Sequence, residues 1–292
     1  MPDLGICVVN WNTRDLLDRC LQSIREHAAD LAVDVVVVDN ASTDGSVDMV
    51  RERHPWARLL ANEENRYYAA ANNQGLRALE APLKLLLNPD IEVHAGSLQA
   101  LVQFLREHPQ AGAVAPRLRG PAGEVQFTCR SFPGPDVVVY EALGLSRLFP
   151  RSRWFGKYRM SWWDYDEARA VDQPMASALL ARDEALGQVG LFDEQFPMFF
   201  NDVDLCRRLW DAGWEVWFTP VAEMTHLGGA ATRQVRREMI IASHRSFLAY
   251  YRKHYRGKVN PIAYAVAVLL LKLGLYVRLA TTAVGAMGLR GR

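Results

Sequence analysis

Leu85-Leu86-Leu87-Asn88-Pro89-Asp90 is an apolar run that stops abruptly in a small polar cluster. Its length and composition suit a buried strand, so Asp90 is expected to project from that strand's C-terminal edge. A carboxylate placed there can hold a divalent cation against a diphosphate. Taken alone, the hexapeptide reads better as an ordinary Asn-Pro-Asp turn. The sequence on either side reverses that reading.

Upstream, Gly5 to Val9 and Val33 to Val38 are short apolar runs that predict buried strands. Between them Leu16, Leu17, Cys20, Leu21 and Ile24 recur at helical spacing, which predicts a helix over 14–27. Ser42 to Arg53 reads as a helix capped within Ser42-Thr43-Asp44. Residues 58–61 read as a third strand, 68–79 as a helix, 84–87 as the fourth strand and 97–107 as a further helix. This alternation with short links predicts a parallel sheet with helices on both faces. Ligands in such sheets bind at strand C-terminal ends. The clusters Asn10–Asn12, Asp39–Ser42 and Asn88–Asp90 all follow strands and therefore fall on one rim.

Residues 117–170 are less regular. Gly and Pro punctuate them, and Trp154, Phe155, Tyr158, Trp162, Trp163 and Tyr165 concentrate there. Two readings stand open: a lid or acceptor-binding insertion, and an irregular aromatic mini-core. Regular structure is expected again at 176–181 and in a helix over 202–212 that stops at Gly213. Neither GxGxxG nor GxxxxGK[ST] occurs, which disfavours a dehydrogenase or a P-loop phosphotransferase. Cys7, Cys20, Cys129 and Cys206 are scattered without CxxC spacing, so free thiols in a reducing compartment are expected. The first strand begins by Leu4, so no cleaved targeting peptide is expected.

Half of the 292 residues are hydrophobic and 23% are charged, which predicts a packed core. The net charge of +1 hides an asymmetry. From Arg233 onward there are 12 Lys/Arg and one acid, Glu238, whereas the first 232 residues carry a net −10. We therefore divide the chain at 1–232 and 233–292. The second part combines basic residues with Tyr250, Tyr251 and Tyr255, then an almost wholly apolar run from Pro261 to Leu289. An anionic membrane surface attracts that combination. Nucleic acid would use the charge but not the apolar run. A spanning helix would bury Lys272 near the bilayer centre at about 2.5–3.5 kcal/mol. An in-plane or re-entrant helix fits better, and a homo-oligomer contact is the remaining use.

Six short motifs occur in a specific order: Val8-Val9-Asn10-Trp11-Asn12; Val38-Asp39-Asn40-Ala41-Ser42-Thr43-Asp44-Gly45-Ser46; Asn65 through Ala69–Gly75; Leu86–Asp90; Gly190-Leu191-Phe192-Asp193-Glu194; and Asp202-Val203-Asp204-Leu205-Cys206 with Arg208, Gly213 and His226 downstream. In this the chain resembles the family-2 glycosyltransferases of GT-A fold, bacterial rhamnosyltransferase-like enzymes in particular, over roughly residues 4–230. That implies an α/β, Rossmann-like, mostly parallel sheet with flanking helices, followed here by a helical, membrane-associating tail. The resemblance implies that Asn10, Asp39 and Asn65 line a nucleotide pocket. It implies that Asp90 holds a divalent metal, Mg or Mn, with His226 as a second ligand. It implies that Asp202 is the base that takes the acceptor hydroxyl's proton in inverting transfer. The implied donor is a dTDP- or UDP-sugar, a rhamnose-like deoxysugar among the candidates. The acceptor would be a lipid-linked or cell-envelope glycan at the cytoplasmic face of the membrane.

Three positions depart from the pattern. Asn88 and Asn201 stand where relatives carry acids, and Tyr67 stands where they usually carry Gly. Tyr67 would either narrow the donor pocket or stack on a ring. The reduced Asn88-Pro89-Asp90 site leaves a non-catalytic nucleotide-sugar-binding protein as the competing reading. A membrane polymerase is disfavoured, since neither several apolar helices nor a Gln-x-x-Arg-Trp motif is present.

Overall fold

The computed structural model describes residues 1–28, 31–228 and 236–288. The chain begins with β1 (Leu4–Asn10), α1 (Arg14–His27), β2 (Val33–Asp39), α2 (Ser46–Arg53), β3 (Arg58–Ala61), α3 (Tyr67–Ala78) and β4 (Leu83–Leu87). Next come β5 (Ile91–Val93), α4 (Ser97–Glu107) and β6 (Ala111–Arg119). The irregular middle contains β7 (Val125–Gln126), β8 (Cys129–Arg130), α5 (Pro135–Ala142), α6 (Leu145–Leu148), β9 (Arg169–Ala170) and β10 (Gln173–Pro174). It is followed by β11 (Ala178–Arg182), α7 (Asp183–Val189), α8 (Asn201–Asp211), β12 (Glu215–His226), α9 (Arg236–His254) and α10 (Pro261–Gly288).

One large sheet runs β3-β2-β1-β4-β11-β6-β12-β5, with β7 added to β6 and β9 to β12. The strands are apolar on both faces because helices cover both. In β1, Leu4, Ile6 and Val8 join one core cluster while Cys7 and Val9 join the other. Gly75 of α3 permits the close approach on the second side, since a Cβ there would lie 2.3 Å from Cys7 Sγ. All four cysteines are buried free thiols. β1 sits between β2 and β4, parallel to both. The chain leaves it in opposite directions, so a crevice opens at its C-terminal end.

The sheet is mostly parallel, as the GT-A resemblance implies, with antiparallel exceptions. β11 runs antiparallel to β4 and β6, and β5 runs antiparallel to β12. β11 is reached through the irregular middle segment and not through a single crossover helix, which frees its direction. The helix expected from Ser42 starts at Ser46 instead. Ser42 is committed to the neighbouring loop, its Oγ accepting from Asn12 N at 2.9 Å. Asp44 takes over at the helix start, its Oδ1 accepting from Ser46 N at 3.1 Å.

The aromatic middle segment builds a mini-core. Tyr165 is fully buried, stacks on Trp163 at 4.2 Å and meets Phe218 edge-on at 4.8 Å. Trp154 stays outside it and is exposed. The division expected at residue 232, and Arg233 with it, lies outside the described residues. Beyond it, α9 buries Tyr250 and Tyr251 against Phe196 and Val203, and α10 adds Ala267 and Leu271 to the same cluster.

Candidate active site

β1 and β2 end side by side, with Asn10 paired to Asp39 in register. Asn10 Nδ2 donates to Asp39 Oδ2 at 2.8 Å, and Thr13 Oγ1 donates to Asn10 Oδ1 at 2.6 Å. Asp39 Oδ1 accepts from Ser42 N at 2.8 Å. Both side chains are buried, and this network fixes the loops that follow the two strands. Their neighbours Val9, Trp11, Thr13 and Asn40 line a cavity of about 590 Å³. Asn10 and Asp39 thus stand one layer behind its wall.

Asn65, Asp90 and His226 line the cavity directly, together with Asn88. β12 is hydrogen-bonded to β5, which follows Asp90 at once, and this brings His226 opposite Ile91. The His226 Nε2 to Asp90 Oδ1 separation is 3.5 Å. Gln126 of β7 sets the ring's tautomer. Its Nε2 donates to the His226 carbonyl at 2.9 Å, which turns its Oε1 toward Nδ1 at 2.7 Å. With Nδ1 donating to Gln126, the neutral form of the ring has its Nε2 lone pair on the side of Asp90. Asp90 Oδ1 and Asn88 Oδ1 are both buried without a hydrogen-bond partner. Two orphaned oxygens and an imidazole lone pair on one cavity wall form a donor set that suits Mg or Mn.

Asp202 opens α8 and is half-buried. Phe200 before it adopts a left-handed φ of 67°. Asp202 Oδ1 accepts from Val203 N at 2.8 Å, and Oδ2 faces Ala176 N at 3.4 Å. Burial lifts its carboxyl above the ordinary value, and these backbone N–H groups offset that only in part. Asp202 does not itself line the cavity; it lies behind the wall at Ala176, between the lining residues Met175 and Ser177. Tyr68 O–H donates to the Ala176 carbonyl at 2.9 Å and braces the same segment.

Asp204 points elsewhere, as the two-residue spacing requires. Its buried carboxylate meets Arg208 at 2.7 Å, Lys253 at 2.6 Å and His254 at 2.7 Å. This cluster clamps α9 to α8. Asn201 is equally internal, with Oδ1 accepting from Asp202 N at 2.8 Å and Nδ2 donating to the Phe196 carbonyl at 3.2 Å. An acid there would set a second buried charge beside Asp202.

Tyr67 occupies the cavity rim with a φ of 60°. Its backbone is pinned on both sides. Asn65 Oδ1 accepts from Tyr67 N at 2.8 Å, and Asn40 Nδ2 donates to the Tyr67 carbonyl at 3.2 Å. A glycine would take this conformation without strain, which explains why Tyr is the unusual residue here.

Several cavity and supporting residues were not anticipated. Gln126 lies on a two-residue strand in the irregular segment and carries no sequence signal. Ser177, Phe199 and Met239 also line the cavity. Glu238, the one acid of the basic tail, lines it as well; its isolation among twelve basic residues was the available clue.

A family model described as Glycosyl transferase family 2 matches residues 5–170. An N-acetylglucosaminyl-diphospho-decaprenol L-rhamnosyltransferase of Mycobacterium tuberculosis is 32% identical over 265 residues, 87% of this chain and 85% of that protein. The low-salt glycan biosynthesis hexosyltransferase Agl10 of Haloferax volcanii is 23% identical over 71% of this chain and 62% of its own length. Among solved structures, a mannosyltransferase of Pyrobaculum calidifontis in complex with GDP-Man and Mn2+ superposes with a TM-score of 0.59 at 19% identity, covering 98% of this chain and 81% of its own. TarS of S. aureus gives 0.54 at 16% identity, covering 82% of this chain and 39% of that one. These structures share the GT-A fold. With its strand-end cavity and this family match, the chain belongs to glycosyl transferase family 2, as a glycosyltransferase of the rhamnosyltransferase-like kind.

Proposed function

We propose that the chain is a divalent-metal-dependent inverting glycosyltransferase. It moves a rhamnose-like sugar from a dTDP- or UDP-linked donor to a lipid-linked or cell-envelope glycan at the cytoplasmic face of the membrane. The observation that carries the reading is the pair of orphaned buried oxygens, Asp90 Oδ1 and Asn88 Oδ1, beside the His226 Nε2 lone pair. Asp90 and His226 would hold Mg or Mn, whose chemistry there would be to neutralise charge on the departing diphosphate. Asn88 contributes a neutral oxygen, so its replacement of an acid lowers the site's charge without emptying it.

Asn10 and Asp39 shape the nucleotide subsite from beneath, Asn65 closes it, and Asp202 receives the acceptor hydroxyl's proton. A raised carboxyl value is an asset in that role, because a more basic carboxylate is the stronger proton acceptor near neutral pH. The M. tuberculosis relative, named for a diphosphate-linked polyprenol acceptor, supports an acceptor of the same chemical class.

In this reading residues 1–232 carry the catalytic groups, α9 of the 233–292 region closes the cavity through Glu238 and Met239, and α10 docks the protein on an anionic bilayer. α10 is the one described helix long and apolar enough to cross a membrane. Its packing favours lying in the plane instead, since Ala267 and Leu271 are buried against the folded domain while Ile262, Val266, Leu269, Leu273 and Tyr276 face out. A spanning helix could not keep one side against a water-exposed domain.

Titration of Mn2+ with dTDP, on wild type and Asp90→Ala, tests the metal reading. Metal-dependent nucleotide binding should vanish in Asp90→Ala and in wild type with EDTA. Activity that persists in EDTA overturns it.

A further inference from the structure

Residues 143–154 lie outside both the cavity and the aromatic mini-core. We propose that they form a second membrane-inserting element, a rigid apolar wedge with an arginine collar, which seats beside α10 on the anionic bilayer. This rests on the membrane reading above and deepens it by naming a second, independent contact.

The wedge displays Leu143, Leu148, Phe149 and Trp154, which are 67%, 68%, 47% and 75% exposed. Four large apolar side chains held in water within twelve residues form a patch, not the scatter of an ordinary surface. The display is built rather than slack. Phe149 N donates to the Leu145 carbonyl at 2.9 Å, and Gly156 N to the Ser152 carbonyl at 2.8 Å. Gly156 packs so tightly that a Cβ there would lie 2.3 Å from the Pro150 carbonyl oxygen. Phe155 anchors the loop inward, edge-on to Tyr140 of α5 at 5.1 Å.

The charge identifies the occupant. From Ala142 to Trp163 there are five basic residues and no acid, within a 232-residue region of net −10. Lys157 and Arg159 are paired internally with Asp136 and Glu141. Arg147 and Arg151 are exposed and form no ion pair among the described residues, and Arg153 lies over the Trp162 ring at 4.9 Å. Arginines around protruding Leu, Phe and Trp match an anionic headgroup layer over acyl chains. A second copy of this acidic domain would satisfy the arginines but leave the apolar tips needing a groove.

The two apolar surfaces are joined through the fold. α10 packs against α5, where Val138 shares a cluster with Ala267 and Leu271, and α5 runs directly into Leu143. Neither element contributes to the cavity wall, so both can dock without blocking it.

Co-sedimentation with vesicles of equal parts phosphatidylcholine and phosphatidylglycerol tests this on the full chain. The variants are a wedge pair, Leu148→Glu with Phe149→Glu, and an α10 pair, Leu269→Glu with Leu273→Glu. The wedge pair should lower vesicle partitioning about tenfold or more while leaving transfer to a short soluble acceptor unchanged. Quenching by bromine-labelled lipid, compared between wild type and Trp154→Phe, reads the insertion without relying on a disruptive change; the wild type should lose more fluorescence. Weaker binding by the α10 pair alone, with no Trp154-dependent quenching, would overturn the wedge and leave the membrane reading standing. Loss by neither pair, with no pelleting of wild type, would overturn both. Concentration-dependent self-association that the wedge pair abolishes, without lipid binding, would assign the patch to a second copy instead.

Discussion

Gln126→Leu is the sharpest perturbation of the metal-site geometry, because it touches neither the metal nor the substrate. Gln126 makes two hydrogen bonds to His226, at 2.9 Å to the backbone carbonyl and 2.7 Å to Nδ1. Leucine keeps most of the volume and removes both. The ring then loses the partner that fixes its tautomer, and Nδ1 becomes free to carry the lone pair in place of Nε2. Loss of such a supporting contact costs about 10- to 100-fold in metal affinity, which is about 1.4–2.7 kcal/mol. Orphaning the buried N–H adds a stability cost of about 1–3 kcal/mol, visible as a lower melting temperature. Gln126→Glu keeps an acceptor toward Nδ1 but sets a second oxygen against the His226 carbonyl, so it should recover only part of the lost metal affinity. The assay is an electron paramagnetic resonance titration of free Mn2+ against protein and dTDP. Wild-type Mn2+ affinity in folded Gln126→Leu would refute the argument that Nε2 is aimed by this residue.

Asp204→Asn should unfold more easily by about 3 kcal/mol, the low end for removing one partner of a buried ionic cluster, since Lys253 keeps Asp193 and Arg208 keeps backbone carbonyls. Burial would raise the Asp204 carboxyl, but His254, Lys253 and Arg208 outweigh it and hold it below its ordinary value. Its stabilisation is therefore full above the unfolded-state value of about 3.9 and is lost as pH falls through the folded one; Asp204→Asn should flatten the acid limb of thermal stability. Tyr67→Gly should melt within about 1 kcal/mol of wild type, because relief of the left-handed strain offsets the glycine entropy cost, while donor KM changes. The pH dependence of kcat/KM should show an acid limb above the ordinary aspartate value of 3.8, since burial raises Asp202; a limb at or below that value would remove the raised carboxyl from the rate law.

β1, β2 and β4 were legible because strands buried on both faces read as unbroken apolar runs, and the loops after them hold the polar clusters. The rim position of Asp90 followed directly from Leu85–Leu87 ending where it does. What stayed hidden depends on long-range pairing. Gln126 reaches His226 across 100 positions through a two-residue strand, and no local pattern announces that contact. The antiparallel direction of β11 was invisible because an apolar strand reads the same in either direction. The α2 start moved because Ser42 is claimed by Asn12 and Asn10, partners 30 and 32 positions upstream. Charge counting alone overstates how much of the basic tail is free for a surface, because Lys253 and His254 are spent on Asp204, and Tyr250 and Tyr251 are core.

The central claim is tested most directly by release of free nucleoside diphosphate from dTDP-rhamnose, measured with Mn2+ and a polyprenyl-diphosphate-linked N-acetylglucosamine acceptor. Wild type should release dTDP only when acceptor is present. Asp202→Asn should bind donor equally well and turn over about 10²–10⁴-fold more slowly. Near-normal release by Asp202→Asn would contradict the assignment of the base, and donor binding by wild type without any acceptor-dependent release would favour a non-catalytic nucleotide-sugar-binding protein.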